Sequence, residues 1–104
     1  MAAIDEDTRA VFCESIANPG GYITDLDAVS EVADAAGLPL IVDNTSATPY
    51  LCRPIEHGAT IVVHSTTKYL TGNGTVTGGA VIDSGSFDWS ASDKFPSLRA
   101  PEPA

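Results

Sequence analysis

Ser65-Thr66-Thr67-Lys68 places three hydroxyls directly before one of only two lysines in the chain. A deprotonated lysine amine attacks carbonyl carbon, and clustered hydroxyls donate to an anion. Asp43 adds a carboxylate able to hold a proton on a ring nitrogen, and Asn18 adds an amide that both donates and accepts. Taken singly these residues have ordinary explanations: a loop lysine is usually solvated, and an aspartate after a strand is a common turn former. Ser65 to Lys68 also fits the S-x-x-K pattern of penicillin-binding hydrolases, but the companion S-D-N and K-T-G motifs are absent. His57 and His64 have no second ligand at zinc spacing and read as structural. Gly72-Asn73-Gly74 and Gly78-Gly79 are followed by no helical pattern, so they fit tight turns rather than a dinucleotide fingerprint.

The elements that must position these groups alternate between strand and helix. Arg9 to Glu14 is a short apolar run that ends before the turn residues Asn18-Pro19-Gly20-Gly21. Thr24 stands where a helix N-cap is expected, and Leu26, Val29, Val32, Ala33 and Ala36 recur on one helical face up to Gly37. Leu38 to Val42 and Thr60 to Val63 are nearly unbroken apolar runs, the pattern of strands buried on both faces by covering helices. Between them, Arg53 to Gly58 has proline at its start and glycine at its stop, the signature of one helical turn. Gly79 to Ile82 is a fourth apolar run, and the tail from Ser84 reads as loop. This order predicts an α/β fold with a mostly parallel sheet and covering helices. Ligands in such sheets bind beyond the carboxyl ends of the strands, and three of those ends carry Asn18, Asp43 and Ser65 to Lys68. An amide, a carboxylate, hydroxyls and a lysine on one rim suit an anionic, aromatic, carbonyl-bearing ligand. Pyridoxal 5′-phosphate has those properties.

Ile61 to Gly74 (IVVHSTTKYLTGNG) closely resembles the lysine signature of the pyridoxal-phosphate enzymes of cysteine and methionine metabolism. The likeness extends through Glu14 to Pro19 (ESIANP), Val42 to Tyr50 (VDNTSATPY) and Arg53 to Ala59 (RPIEHGA), which are most similar to O-acetylhomoserine sulfhydrylases within that family. Ile82 to Gly85 and Phe87 to Trp89 agree. The resemblance implies a fold-type I (aspartate-aminotransferase-like) large domain, with residues 1–104 as part of that cofactor-binding domain and no complete second domain. It implies that Lys68 carries the cofactor and later moves protons between substrate carbons. Asp43 would pair with the ring nitrogen, Ser65 and Thr67 would bind the phosphate, and Asn18 would lie near the cofactor hydroxyl and substrate carboxylate. Thr45 would lie against the ring face. The implied reaction is γ-replacement on O-acetyl-L-homoserine, an amino-acid substrate, by sulfide or a thiol to give homocysteine or methionine. Cystathionine γ-synthase or methionine γ-lyase chemistry, or a non-catalytic truncated domain, are the alternatives. Thr60 and Asn73 stand where the family more often has an acidic residue and a histidine. Family chains are several times longer, so this sequence corresponds to an internal fragment of a parent expected to be a homo-oligomer, either dimer or tetramer.

Composition narrows the remaining classes. The chain has 104 residues, 43% of them hydrophobic, with 5 Lys+Arg against 14 Asp+Glu and a net charge of −9. That is enough for one packed core. The negative charge and the scattered basic residues disfavour nucleic-acid and anionic membrane surfaces. No apolar leader and no run of about 18 apolar residues is present. Cys13 and Cys52 read as free buried thiols, which predicts a cytoplasmic setting and leaves the Asn44 and Asn73 sequons without use.

Overall fold

The computed structural model describes residues 3–99. Four strands form one sheet in the order β1-β2-β3-β4. They are β1 (Val11–Glu14), β2 (Leu40–Asp43), β3 (Ile61–Ser65) and β4 (Gly79–Asp83). The first three run parallel, with Glu14 opposite Asp43 and Asp43 opposite Val63. β4 returns antiparallel, pairing Ser65 with Gly79. The carboxyl ends of β1, β2 and β3 therefore open on the same rim.

One helix of ten residues, α1 (Leu26–Ala35), connects β1 to β2. Asp25, not Thr24, caps it: the Asp25 carboxylate accepts the Ala28 N–H at 3.1 Å. The Thr24 hydroxyl instead donates to the Glu14 carbonyl at 2.6 Å, which ties the incoming loop to the end of β1. A carboxylate is as good a cap as a hydroxyl, and the adjacent position left Thr24 free for that tether. Gly37 leaves the helix at φ 64°, the left-handed turn that favours glycine. α1 lays Leu26 and Ala33 against Leu40, Val42, Ala59 and Val62, and this is the core of the molecule.

A short helix, α2 (Thr48–Leu51), and a 3₁₀ turn at Pro54–His57 lead into β3. The 3₁₀ turn falls within the predicted Arg53 to Gly58 segment, whereas α2 is an addition. Gly58 closes the turn at φ 86° beside α1, where a Cβ would collide with the Ser30 hydroxyl. His57 Nδ1 lies 3.0 Å from Asp27 Oδ1 and links this turn to α1.

Among the described residues, a helix covers one face of the sheet. Leu40, Val42 and Val62 face α1 and are buried, while Phe12 and Val81 remain 61% and 73% exposed. The sequence expectation of strands buried on both faces therefore fails for the edge strands. Among the described residues, one long helix supplies a single covering layer. Beyond β4, Phe95 packs edge to face on Phe87 and Trp89 at 5.9 and 5.3 Å between centroids, and Phe87 and Trp89 lie tilted against each other at 4.7 Å. Lys94 Nζ donates to the Thr8 carbonyl at 2.9 Å, drawing this tail back to the segment before β1. No helix among the described residues is long and apolar enough to cross a membrane.

Candidate active site

The rim is organised around the end of β2. Asp43 Oδ1 accepts both the Thr45 N–H at 2.9 Å and the Thr45 hydroxyl at 2.6 Å, a turn the aspartate makes with its own downstream backbone. Thr45 Oγ1 in turn accepts the Ser65 N–H at 2.8 Å, so the ends of β2 and β3 are fixed to each other. On the opposite face, fully buried Asn44 accepts from the Ser15 hydroxyl at 2.7 Å and donates to the Cys52 carbonyl at 2.8 Å. Asn44 thus holds β1 and the residue after α2 to the same strand end, with its polar atoms satisfied as burial requires.

After Ser65 the chain turns sharply. Lys68 N–H points back to the Ser65 carbonyl at 3.4 Å, and Thr66 N–H donates to the Gly78 carbonyl at 3.0 Å. The Thr67 hydroxyl accepts from the Gly78 N–H at 3.0 Å and donates to the Gly78 carbonyl at 3.3 Å. On the other side, the turn after β1 is held by an Ile16–Ile23 bridge and by Ala17 N–H donating to the Tyr22 carbonyl at 2.8 Å. That turn carries Asn18 and a cis Asn18–Pro19 peptide.

These elements enclose two adjoining clefts. One, of about 200 Å³, is lined by Glu14, Ile16, Asn18, Asp43, Thr45, Ser46, Ser65 and Lys68. The other, of about 440 Å³, is lined by Asn18, Thr45, Ser46, Thr67, Lys68, Tyr69 and Gly74. All six residues singled out in the sequence border this space. Glu14, Ser46, Tyr69 and Gly74 border it too and had not been singled out; for Glu14 the available signal was its place at the carboxyl end of a strand.

Lys68 Nζ, the Ser65 hydroxyl, the Asn18 amide and Asp43 Oδ2 make no hydrogen bond among the described residues. A free amine, an open carboxylate oxygen and a free hydroxyl match a carbonyl, a protonated ring nitrogen and an anionic oxygen respectively. The donor set therefore fits pyridoxal phosphate at its ring, its aldehyde and part of its phosphate. Thr67 fits less directly, because its hydroxyl proton is already directed at Gly78.

The other ionisable groups of interest lie elsewhere. Burial pushes the Cys13 thiol above its ordinary value, and burial with nearby Glu56 does the same at Cys52. Among the described residues no three His, Cys, Asp or Glu side chains gather where a metal could be held. Buried His64 lines a separate apolar cleft on the α1 side of the sheet with Val62, Pro54 and Ile82, and its Nδ1 has no partner among the described residues.

Fold and rim together define an α/β domain whose clefts, at the carboxyl ends of its parallel strands, are bordered by a lysine, a carboxylate and hydroxyls. Residues 1–99 match the model of the Cys/Met metabolism PLP-dependent enzyme family, and the chain belongs to that family. It is 53% identical to a homocysteine synthase of Schizosaccharomyces pombe, over 98% of this chain and 24% of that protein. It is 48% identical to an O-acetyl-L-homoserine sulfhydrylase of Leptospira meyeri, over 98% of this chain and 23% of that protein. Among solved structures it superimposes with a TM-score of 0.90 and 36% identity on a candidate O-acetylhomoserine (thiol)-lyase from Campylobacter jejuni that carries a pyridoxyl-lysine phosphate. That match covers 98% of this chain and 26% of the other. The chain thus spans about a quarter of the length of the relatives it matches.

Proposed function

We propose that residues 1–104 are part of the cofactor-binding large domain of an enzyme that performs γ-replacement on O-acetyl-L-homoserine, with sulfide or a thiol as the incoming nucleophile. The products are homocysteine or methionine. The names borne by the two relatives support the substrate, and the observation that carries the chemistry is the opening of Lys68, Asp43 Oδ2 and Ser65 on one cleft. The working form is a cytoplasmic homo-oligomer in which chain beyond this segment completes the site.

Pyridoxal phosphate, when bound, supplies an electron sink for charge developing next to the substrate amino group. Lys68 Nζ would hold the cofactor at its aldehyde and would take and return protons at the substrate carbons. Asp43 Oδ2 keeps a proton on the ring nitrogen, while Oδ1 is held by Thr45 so that the carboxylate cannot rotate away. The Ser65 hydroxyl donates to a phosphate oxygen. Thr67 does the same by exchanging its bond to the Gly78 carbonyl, an exchange that leaves the Gly78 N–H on its oxygen. The Asn18 amide would serve the cofactor hydroxyl and substrate carboxylate, and Thr45, which lines the same clefts, would lie by the ring.

Asp43→Asn in the full-length enzyme tests this assignment. The amide cannot hold the ring nitrogen protonated, so the cofactor is expected to stay bound while kcat falls by about 10²-fold or more, the scale of losing one charged electrostatic partner in a transition state. Near-normal kcat with full cofactor occupancy would show that Asp43 only shapes the turn.

A further inference from the structure

Glu14 ends β1 directly opposite Asp43 and lines the same cleft as Asn18, Asp43 and Lys68. Its Oε2 accepts the Asn18 N–H at 2.6 Å, a short charge-assisted bond. The neighbouring backbone donors show why that bond matters. Ala17 N–H is taken by the Tyr22 carbonyl, and Pro19 has no N–H to give. The turn is closed on either side of Asn18 by Gly21 N–H donating to the Ala17 carbonyl at 2.7 Å, and within it the Asn18 N–H itself is held by Glu14.

We propose that Glu14 is a positioning residue: its carboxylate braces the Asn18 backbone and so sets where the Asn18 amide sits in the lysine cleft. This rests on reading the cleft as the pyridoxal-phosphate site. Glu14 acts by accepting one backbone hydrogen bond and not by holding a proton on the ligand, which separates it from Asp43 on the next strand. A glutamine keeps an acceptor oxygen at the same place, whereas an alanine does not.

The test uses the full-length enzyme and two readouts: amide hydrogen exchange at Asn18 in the cofactor-free protein, and the dissociation constant of pyridoxal phosphate followed by absorbance. Glu14→Ala is expected to speed Asn18 exchange by about tenfold or more and to raise the dissociation constant by about tenfold, the scale of one charge-assisted bond. Glu14→Gln should change each by less than about threefold, and this milder variant also covers the case in which the alanine variant folds poorly. Adding Glu14→Ala to Asn18→Ala should worsen cofactor binding little beyond Asn18→Ala alone. Unchanged Asn18 exchange in Glu14→Ala, equal damage from Gln and Ala, or full additivity with Asn18→Ala would each overturn the brace. If instead Asn18→Ala leaves the dissociation constant unchanged while Glu14→Ala still frees the Asn18 amide, the brace exists but the placement of Asn18 at the cofactor is overturned.

Discussion

At the scale of single residues, the cleft separates groups committed to the protein from groups left open. Thr45 spends its N–H and hydroxyl on Asp43 and its oxygen on the Ser65 backbone, so it builds the rim more than it serves a ligand. Thr45→Val keeps the shape but removes both hydroxyl bonds. It is expected to destabilise the chain by about 1–3 kcal/mol through the unpaired Ser65 N–H, measured by denaturant unfolding of the full-length enzyme. A change within 0.5 kcal/mol would show that β2 and β3 do not depend on this link. The thiols give a second check. Since burial raises Cys13 and Cys52, both should alkylate more slowly at pH 8 than an exposed cysteine peptide, and Glu56→Gln should speed Cys52 while leaving Cys13 alone. The linkage sign follows: the fold favours the neutral thiol, so this contribution is complete below the ordinary thiol value and is lost as pH rises from there through the raised value of the folded chain. Lys68 and Asp43 were legible in the sequence because each ends or follows an apolar run. The commitment of Thr67 to Gly78 was not, since it depends on β4 returning eleven residues later to the same rim.

At the scale of elements, α1 and the three parallel strands follow from periodicity and apolar runs, and the structure places them within a residue or two of the expected bounds. The cap moved from Thr24 to Asp25 because both residue types cap well and only tertiary contact with Glu14 decides between them. α2 is one turn beginning at Thr48 with φ 60°, a conformation a β-branched residue rarely adopts, and no local pattern announces it. The packing of the 3₁₀ turn on α1 yields a sharper expectation. Gly58→Ala combines a left-handed φ with a collision against Ser30 and should cost about 2 kcal/mol or more, whereas Gly37→Ala, left-handed but in open space, should cost about 1 kcal/mol. Equal losses in urea unfolding would mean that backbone conformation alone, and not contact with Ser30, governs the Gly58 position.

At the scale of the whole molecule, the radius of gyration is 15.0 Å against about 13 Å for a compact chain of this size, and the smallest dimension is 22 Å, as a sheet with one helical layer requires. The apolar runs mark strands meant to be covered twice, and because the sequence offers one long helix to cover them it is expected to leave apolar surface open, as the described residues do at Phe12 and Val81. Phe12 and Val81 on the uncovered face should make the 104-residue chain self-associate despite its charge of −9. Light scattering of the purified chain should show particles larger than a monomer, and Phe12→Lys with Val81→Lys should shrink them; a monodisperse wild-type monomer would show that the face is harmless. The assignment of the cleft itself is tested most directly in the full-length enzyme by borohydride reduction of the cofactor-loaded protein followed by peptide mapping. A single pyridoxyl adduct on Lys68 is the expected result, and an adduct on Lys94, or none on either lysine in enzyme that turns over, would contradict it.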